Sequence, residues 1–374
     1  MSDTPALSSV LLAGGGTAGH VSPLLAVADA LARRHPGLRL TVLGTVEGLE
    51  SRLVPERGYD LRIVPRVPMP RRLGGALVRL PAALRSAVEA AGQAMDDTGA
   101  QVVVGFGGYV STPAYLAARR RRLPIVLHEQ NARPGLANRL GARLARSVAT
   151  TFAGTPLPGA QQIGMPLRRL VTTLDRAAVR DQALTAFGLD DDRPTLLVTG
   201  GSLGAQRINE ALARRSRALS AHGIQVLHVT GQGKEFEPER EPGGAPYVVV
   251  PYVERMDLAY AVADLVLCRS GASTVCELTA VGLPAIYVPL PVGNGEQRFN
   301  AAEVVAAGGG RLLDNADLTS DWIDAVLVPL MQDAPTLARM GLAAGSVGRR
   351  DADEEMVRLV EAAAGEASRP GRAR

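Results

Sequence analysis

A histidine follows a cluster of glycines near the start of the chain. Gly14-Gly15-Gly16 comes directly after a short apolar run, and His20 lies just beyond it. A glycine loop between a strand and a helix presents backbone N–H groups and the positive end of the helix dipole to an anion. A neutral imidazole at this position can accept a proton from an attacking hydroxyl. The alternative is a structural histidine that is hydrogen-bonded to the backbone where the helix begins.

Two loops in the second half of the chain have a similar pattern. Gly200–Ala205 and Arg269–Glu277 each follow a short apolar run and precede a predicted helix. The backbone N–H groups of residues 270–273 are suited to bind a diphosphate, and Glu277 can reach ribose hydroxyls about one turn into the helix. The structural alternative is a capping box that begins at Ser273.

Two common nucleotide sites are disfavoured. Neither glycine loop ends in the Gly-Lys-Ser/Thr of a P-loop, which argues against ATP hydrolysis. A dinucleotide fold carries an acid about 20 residues after its glycines, and Leu43-Gly44-Thr45 stands there instead. The first loop therefore does not predict a nicotinamide site.

Polar clusters follow two further apolar runs. His128-Glu129-Gln130-Asn131 ends a predicted strand, at the edge where α/β sheets bind ligands. Residues 293–297 form a polar loop whose amide and carboxylate groups can contact sugar hydroxyls. A polar turn and a solvated loop are the respective structural alternatives.

The sequence predicts neither a metal nor a cofactor. Asp190-Asp191-Asp192 resembles a solvated turn, and no Asp-x-Asp pair stands in a suitable loop. The spacing of Cys268 and Cys276 is not that of a metal site. Two cysteines also exclude a disulfide scaffold and indicate a reducing compartment.

The elements that position these residues form a repeated α/β pattern. Short apolar runs about 25–30 residues apart, with helical stretches between them, indicate βαβ units in a parallel sheet. This architecture starts again near residue 195. We expect two Rossmann-like parallel-sheet domains that face a cleft. The predicted domains are residues 1–165 with the closing helix 351–366, and residues 166–350.

Composition narrows the class of partner. The chain has 374 residues, 41 basic against 37 acidic, and 3% aromatic residues. The aromatic content is too low for stacking platforms on single-stranded nucleic acid, so no nucleic-acid partner is expected. Only Lys234 is a lysine, and the arginine excess suits anionic ligands or reflects a GC-rich coding sequence. Prolines interrupt the long uncharged stretch 278–295, so no spanning helix is expected. The first residues include no basic region, and the apolar run that follows ends at the glycine cluster, so no signal peptide is expected.

Several segments resemble one family when they are taken together. They occur in the family's order along essentially the whole chain: GGGTAGHVSP (14–23), GFGGYVSTP (105–113), LHEQNARPGLANR (127–139), GGSLGAQRIN (200–209), CRSGASTVCELTAVGLP (268–284) and GNGEQRFNA (293–301). The chain resembles the MurG family of glycosyltransferases, which have the B-type two-domain fold (GT-B). These are UDP-N-acetylglucosamine:N-acetylmuramyl-(pentapeptide) pyrophosphoryl-undecaprenol N-acetylglucosaminyltransferases.

The resemblance implies an inverting transfer of N-acetylglucosamine (GlcNAc). The C4 hydroxyl of the muramyl sugar of lipid I attacks the anomeric carbon of UDP-GlcNAc, which gives lipid II and UDP. The first domain is then the acceptor domain, with His20 as the candidate base. The resemblance assigns Thr17, Ala18 and Gly19 to UDP-GlcNAc binding, and it places Thr17 with His20 on the acceptor side. Tyr109 and His128 are assigned to the acceptor.

The resemblance places the UDP-GlcNAc donor on the second domain. Arg168 and Ser202 would contact the diphosphate, as would Ala272, Ser273 and Thr274. The uracil would be held by Tyr252 and Val253, and the ribose by Glu277. The GlcNAc hydroxyls would be contacted by Glu296, Gln297 and Asn131.

Two positions depart from the family's pattern. Glu296-Gln297 stands where the family often has two glutamines, and a carboxylate still accepts a hydrogen bond from a sugar hydroxyl. Ala18 replaces a common glycine of the first loop, and this restricts the φ and ψ angles that the backbone can adopt there.

The acceptor's polyprenyl chain implies a membrane partner. We expect the first domain to bind the anionic inner leaflet through residues 67–84, peripherally on the cytoplasmic face of the cell membrane. Apolar and basic residues interleave there: Met69, Arg71, Arg72, Leu73, Leu77, Val78, Arg79 and Leu80. The alternative is a core-packing helix with a solvated basic face. Other cell-wall and division proteins are further expected partners.

Three other functions remain as alternatives. The first is a glycosyltransferase of the same architecture with a different acceptor, such as a diacylglycerol or an aglycone. The second is a UDP-GlcNAc 2-epimerase, which would need acidic catalytic residues. The third is a non-catalytic scaffold that binds the nucleotide sugar.

Overall fold

The computed structural model describes residues 7–67, 75–201, 205–291 and 295–367. The chain divides into two compact units. The first unit comprises Met1–Arg168 and Asp351–Arg374, and the second comprises Arg169–Arg350.

A parallel sheet forms the centre of the first unit. Its strands are β1 (Ser9–Gly14), β2 (Arg39–Gly44), β3 (Asp60–Ile63), β4 (Val102–Gly107), β5 (Ile125–Glu129), β6 (Ser147–Thr150) and β7 (Ala160–Gln162). The strand order is β3-β2-β1-β4-β5-β6-β7, and every paired strand is parallel. The strands β1, β4 and β5 are buried along their whole length because helices cover both faces of the sheet.

Helices cover this sheet on both sides. They are α1 (Ala18–Arg34), α2 (Glu50–Glu56), α3 (Gly75–Thr98), α4 (Ser111–Arg121) and α5 (Leu136–Gly141). Apolar residues repeat at helical spacing from Pro23 to Arg34, but α1 already begins at Ala18. In the first turn Gly19 is exposed and His20 is half-buried, whereas Val21 already packs in the core. His20 therefore lies inside the first turn of α1.

The second unit repeats this architecture. Its strands are β8 (Thr195–Thr199), β9 (Gln225–Val229), β10 (Tyr247–Val250), β11 (Leu265–Cys268), β12 (Ala285–Tyr287) and β13 (Gly310–Leu312). The order β10-β9-β8-β11-β12-β13 is that of the first six strands of the first sheet, and the pairs are again parallel.

The helices of the second unit are shorter. They are α6 (Arg169–Thr172), α7 (Arg180–Phe187), α8 (Gln206–Ala213), α9 (Ser216–Ala221), α10 (Met256–Val262), α11 (Ala272–Ala280), α12 (Glu296–Asn300), α13 (Ala302–Ala306), α14 (Ser320–Trp322), α15 (Val328–Gln332) and α16 (Ala334–Val347). A π-helical turn, Ile323–Leu327, joins α14 to α15. Leucine, isoleucine and valine side chains from the strands and from α8, α15 and α16 form one core.

The last helix, α17 (Ala352–Ala367), belongs to the first unit. Its residues Met356, Val357 and Val360 are buried in the core that β1, β4 and α1 share. Glu361 Oε1 also lies at hydrogen-bond distance from His35 Nε2, 2.8 Å away. Helix α17 therefore packs in the same core as the first strand and the first helix.

Candidate functional site

His20 lies at the carboxyl edge of the first sheet, where the strand order reverses between β1 and β4. Ligands of open α/β sheets bind at such a reversal. Gly107, the last residue of β4, has a φ of +89°, and a Cβ atom there would lie 3.2 Å from His20 Cε1. Glycine thus lets the end of β4 approach the imidazole closely.

A buried hydrogen-bond network reaches His20 from the end of β5. Gln130 Oε1 lies 3.1 Å from His20 Nδ1, and Gln130 Nε2 donates to the carbonyl oxygen of His128 at 3.0 Å. The His128 imidazole lies 2.8 Å from the carbonyl oxygen of Gly164 through Nε2. Burial lowers the pKa of His128 to about 4, so this imidazole is neutral near pH 7.

Glu129 holds the loop that follows β5. Its carboxylate accepts hydrogen bonds from the backbone N–H groups of Asn131 (2.9 Å) and Gly135 (3.1 Å) and from Asn138 Nδ2 (2.9 Å). Burial raises the pKa of Glu129, and these hydrogen bonds oppose the rise. The polar cluster 128–131 is therefore both a support for the loop and a neighbour of His20.

A second carboxylate lies behind the glycine loop, and sequence reasoning missed it. Glu50 is fully buried and accepts hydrogen bonds from the backbone N–H groups of Gly16 (2.8 Å) and Thr45 (2.9 Å). A Cβ atom at Gly48 would lie 2.1 Å from either carboxylate oxygen. In the sequence, the glycine at position 48, two residues before Glu50, is the feature that could have indicated this buried carboxylate.

The other predicted residues of the first unit are more exposed. Thr17 precedes α1 and is exposed, as is Gly19, whereas Ala18 is half-buried. The Arg66 guanidinium lies over the Tyr109 ring, 5.1 Å from its centre. Asn131 and Arg168, the last residue of the first unit, are half-buried.

Much of the predicted membrane segment lies outside the described residues. This holds for Met69, Arg71, Arg72 and Leu73, and the side chain of Leu77 on α3 is likewise not described. Leu80 is half-buried, and further along α3 Val88 and Met95 pack in the core. Within the described residues, no helix is long and apolar enough to cross a membrane.

In the second unit, α11 begins at the carboxyl edge of the sheet. Gly271 precedes the helix in an extended conformation without a side-chain cap, so the structural alternative of a capping box at Ser273 is wrong. Ser273 and Thr274 are half-buried and Ala272 is buried. The Ser273 hydroxyl has no hydrogen-bond partner among the described residues. The start of α11 thus retains polar groups that a ligand can use.

Arg269 lies beside this helix start and carries a buried charge. One terminal nitrogen donates to the carbonyl oxygens of Val288 (3.0 Å) and Pro289 (3.2 Å) and to Asn315 Oδ1 (2.8 Å). Its Nε atom has no partner among the described residues. Burial lowers the pKa of Arg269, since the guanidinium loses solvation. A nearby anion would compensate this charge.

Glu277 lies on α11, and the buried Tyr260 orients it. The Tyr260 hydroxyl donates to Glu277 Oε2 at 2.6 Å. Tyr260 is a second residue that sequence reasoning missed, because it lies on α10 within an apolar stretch. This hydrogen bond fixes the direction of the Glu277 carboxylate on α11.

The beginning of α12 borders a cavity of about 760 Å³. Gln297 Oε1 accepts a hydrogen bond from the backbone N–H of Leu290 at 2.9 Å, and Glu296 is half-buried beside it. Tyr252 is 62% exposed and Val253 is buried, both after β10. Ser202 lies outside the described residues.

No metal-ligand cluster is found in the part of the chain that the structure describes. No three histidine, cysteine, aspartate or glutamate side chains there could hold an ion together. Both cysteines are free thiols, and burial raises the pKa of each.

Comparison with known proteins gives the family. Residues 10–150 match the glycosyltransferase family 28 N-terminal domain, and residues 195–356 match its C-terminal domain. The UDP-N-acetylglucosamine--N-acetylmuramyl-(pentapeptide) pyrophosphoryl-undecaprenol N-acetylglucosamine transferase of Nocardioides sp. is 57% identical over 353 residues, 94% of this chain and 97% of the relative. The Streptomyces coelicolor protein of the same name is 54% identical over 362 residues, 96% of this chain and 100% of the relative.

Solved structures agree with this grouping. The crystal structure of Acinetobacter baumannii MurG matches with a TM-score of 0.77 and 28% identity, covering 95% of this chain and 99% of that one. A UDP-GlcNAc 2-epimerase from Neisseria meningitidis matches with a TM-score of 0.66 but only 14% identity, covering 95% of this chain and 100% of that one, so it shares the fold alone. The chain belongs to glycosyltransferase family 28 and, within it, to the MurG family of N-acetylglucosamine transferases.

Proposed function

We propose that this enzyme transfers GlcNAc from UDP-GlcNAc to the C4 hydroxyl of undecaprenyl-diphospho-MurNAc-pentapeptide (lipid I), which forms lipid II and UDP. The observation that carries the proposal is the identity of 54–57% over nearly the full chain to relatives named for this substrate pair. The epimerase alternative loses support because its likeness extends to the fold alone.

In the proposed mechanism the first unit supplies the base. His20 takes the proton from the C4 hydroxyl as the oxygen attacks the anomeric carbon of the donor. The bond from that carbon to the β-phosphate oxygen breaks, and its electron pair leaves with UDP. Attack from the face opposite to the leaving group inverts the anomeric centre.

The second unit binds the donor in this proposal. Charge develops on the β-phosphate as UDP leaves, and the N-terminus of α11 together with the Arg269 guanidinium can stabilise it. Glu277 would accept from a ribose hydroxyl. Tyr252 and Val253 stay proposed as uracil contacts, and Glu296 and Gln297 as sugar contacts.

Radiolabel transfer tests the proposed reaction. Purified chain is incubated with UDP-[¹⁴C]GlcNAc and a short-chain lipid I analogue, and the lipid fraction is separated. Labelled lipid II is expected, with none when the lipid I analogue is replaced by diacylglycerol. Binding of UDP-GlcNAc without transfer would instead favour a scaffold, and label on diacylglycerol would favour the other acceptor class.

The proposal also includes peripheral binding to the cytoplasmic face of the membrane. Sedimentation with anionic liposomes compares the unaltered chain with a variant carrying Arg71→Glu, Arg72→Glu, Leu73→Ser and Leu77→Ser, which should lose binding. A matched control on α16 carries Arg339→Glu and Leu342→Ser, at two exposed positions of the second unit. Equal sedimentation of all three proteins would contradict membrane binding through residues 67–84.

A further inference from the structure

In the hydrogen-bond network of His20, Gln130 and His128, the chemistry of each group determines which atom donates and which accepts. A carbonyl oxygen can only accept, so the Gln130 atom that faces the His128 carbonyl oxygen, at 3.0 Å, must be the amide nitrogen. The amide oxygen is then the atom 3.1 Å from His20 Nδ1. The two ends of this carboxamide are therefore not interchangeable.

The same reasoning assigns the proton on His128. Its Nε2 atom lies 2.8 Å from the carbonyl oxygen of Gly164, so Nε2 carries the proton. Its Nδ1 atom then has a free lone pair and accepts from Gln130 Nε2 at 3.2 Å. Every polar contact of the Gln130 amide nitrogen thus agrees with one orientation.

From this orientation we infer that Gln130 is a positioning residue that fixes the tautomer of His20, with the proton on Nδ1 and the lone pair on Nε2. An amide oxygen can only accept, so the neutral imidazole must donate to it through Nδ1. No described residue forms a hydrogen bond with Nε2. The inference rests on the proposed function, in which Nε2 is the atom that takes the proton.

Packing holds the side chains of Gln130 and His128 in the orientations described above. Gln130 is 1% exposed and His128 is fully buried, so neither side chain can turn toward solvent to exchange its partner for water. Gly107 borders the His20 ring at Cε1 and Nδ1. The carboxamide is also neutral, so it orients the imidazole without adding a charge of its own.

During the reaction the His20 imidazole gains one proton, and its hydrogen bond to Gln130 is kept. The C4 hydroxyl proton moves to His20 Nε2 while the hydroxyl oxygen bonds to the anomeric carbon and UDP departs with the electron pair. The resulting imidazolium still donates from Nδ1 to Gln130 Oε1. No proton needs to move along the network, since Gln130 only holds the ring and its tautomer.

The test is a histidine ¹⁵N spectrum of the full chain, which has five histidines. Two-bond ¹H–¹⁵N correlations distinguish a protonated Nδ1 from a protonated Nε2, and a His20→Ala sample identifies the signals of His20. In the unaltered protein, at a pH where the ring is neutral, we expect His20 to carry its proton on Nδ1. A proton on Nε2 would overturn the inference without any variant.

The matched pair of variants is Gln130→Met and Gln101→Met. Methionine keeps the side-chain length at position 130 but removes the acceptor, so His20 should become a mixture of tautomers. Turnover should fall about 3- to 10-fold, as for one neutral hydrogen bond, with the donor KM unchanged. Gln101 accepts through its amide oxygen from Ser8 and Ser9 at the opposite edge of the same sheet, so its variant should leave the His20 tautomer unaltered.

An unaltered His20 tautomer in Gln130→Met would overturn the positioning role. The spectrum is independent of activity, so it decides this inference even if the proposed reaction fails. Absence of lipid II formation by the unaltered chain would contradict the proposed function alone.

Discussion

In the first unit a carboxylate lies behind the glycine loop, whereas in the second unit a guanidinium lies beside the start of α11. Both places are at the carboxyl edge of a sheet with the same strand order. Glu50 already accepts from the Gly16 N–H, so part of the loop's capacity to bind an anion serves a group of the protein itself. Arg269 has no carboxylate partner among the described residues, and it precedes α11, whose N-terminus is the positive end of the helix dipole, by three residues.

The difference shows that a glycine loop does not by itself identify a phosphate site. A fixed carboxylate repels a phosphate nearby, while an uncompensated guanidinium attracts it. The second unit therefore suits the donor diphosphate, and the first unit suits a neutral hydroxyl nucleophile with its base. The sequence alone assigned both loops the same anion-binding capacity, because Glu50 is 34 residues from the loop that it supports.

The largest expected effect separates the base from donor binding. His20→Ala should lower turnover about 100-fold or more, the range for loss of a general base, while the Kd for UDP changes little. Steady-state transfer and calorimetry with UDP measure the two quantities. His222→Ala, at an exposed histidine of the second unit, is the control. Turnover near that of the control would place the base elsewhere.

The next effect tests the buried cation of the second unit. Arg269→Met should weaken UDP binding about 10- to 100-fold, as expected for loss of charge-assisted hydrogen bonds, and should affect uridine much less. Arg176→Met is the matched control, because Arg176 is half-buried and also donates to backbone carbonyl oxygens, at the amino edge of the sheet. Calorimetry with both ligands gives the affinities. An equal loss for UDP and uridine would refute a diphosphate role for Arg269.

A smaller effect tests the carboxylate of the first unit. Glu50→Gln replaces one accepting oxygen by a donor, so a backbone N–H loses its partner and the free energy of unfolding should fall by about 1–3 kcal/mol. Urea denaturation measures this change. Glu56→Gln, on the exposed face of the same helix, should cost much less. Tighter pyrophosphate binding with unchanged stability would instead show that Glu50 only excludes a ligand from the loop.

The smallest effect concerns the orientation of Glu277. Tyr260→Phe removes one hydrogen bond at 2.6 Å and should raise the donor KM a few-fold, with turnover nearly unchanged. Glu277→Ala should raise the donor KM more, and the double variant should be no worse than Glu277→Ala alone. Additive losses in steady-state KM would mean that Tyr260 acts independently of Glu277.

The sequence predicted most of the central strands and the edge strand β10, but it did not predict the edge strands β3, β7 and β13. Apolar runs mark β1, β4, β8 and β11, because both of their faces are buried. The edge strand β3 reads Asp-Leu-Arg-Ile and is largely exposed, so no apolar run indicated it. Strands β7 (Ala-Gln-Gln) and β13 (Gly-Arg-Leu) have three residues each and contain no apolar run.

The site was predictable in its local parts. His20 and the cluster 128–131 follow strands in the sequence, and the parallel sheet brings those strand ends to one edge. The contact of His20 with Gln130 spans 110 residues, and that of Glu50 with Gly16 spans 34. Spacing along the chain contains no information on such pairs, since the fold alone brings them together.

The position of α17 has a consequence for synthesis on the ribosome. The first unit contributes the N-terminal strands and helices, but Met356, Val357 and Val360 of its core are translated after the whole second unit. Domains usually fold in the order in which they emerge. Here all residues of the second unit are translated before those of α17, which belongs to the first unit. The apolar surface of α1 and β4 that α17 covers therefore stays uncovered until α17 leaves the exit tunnel.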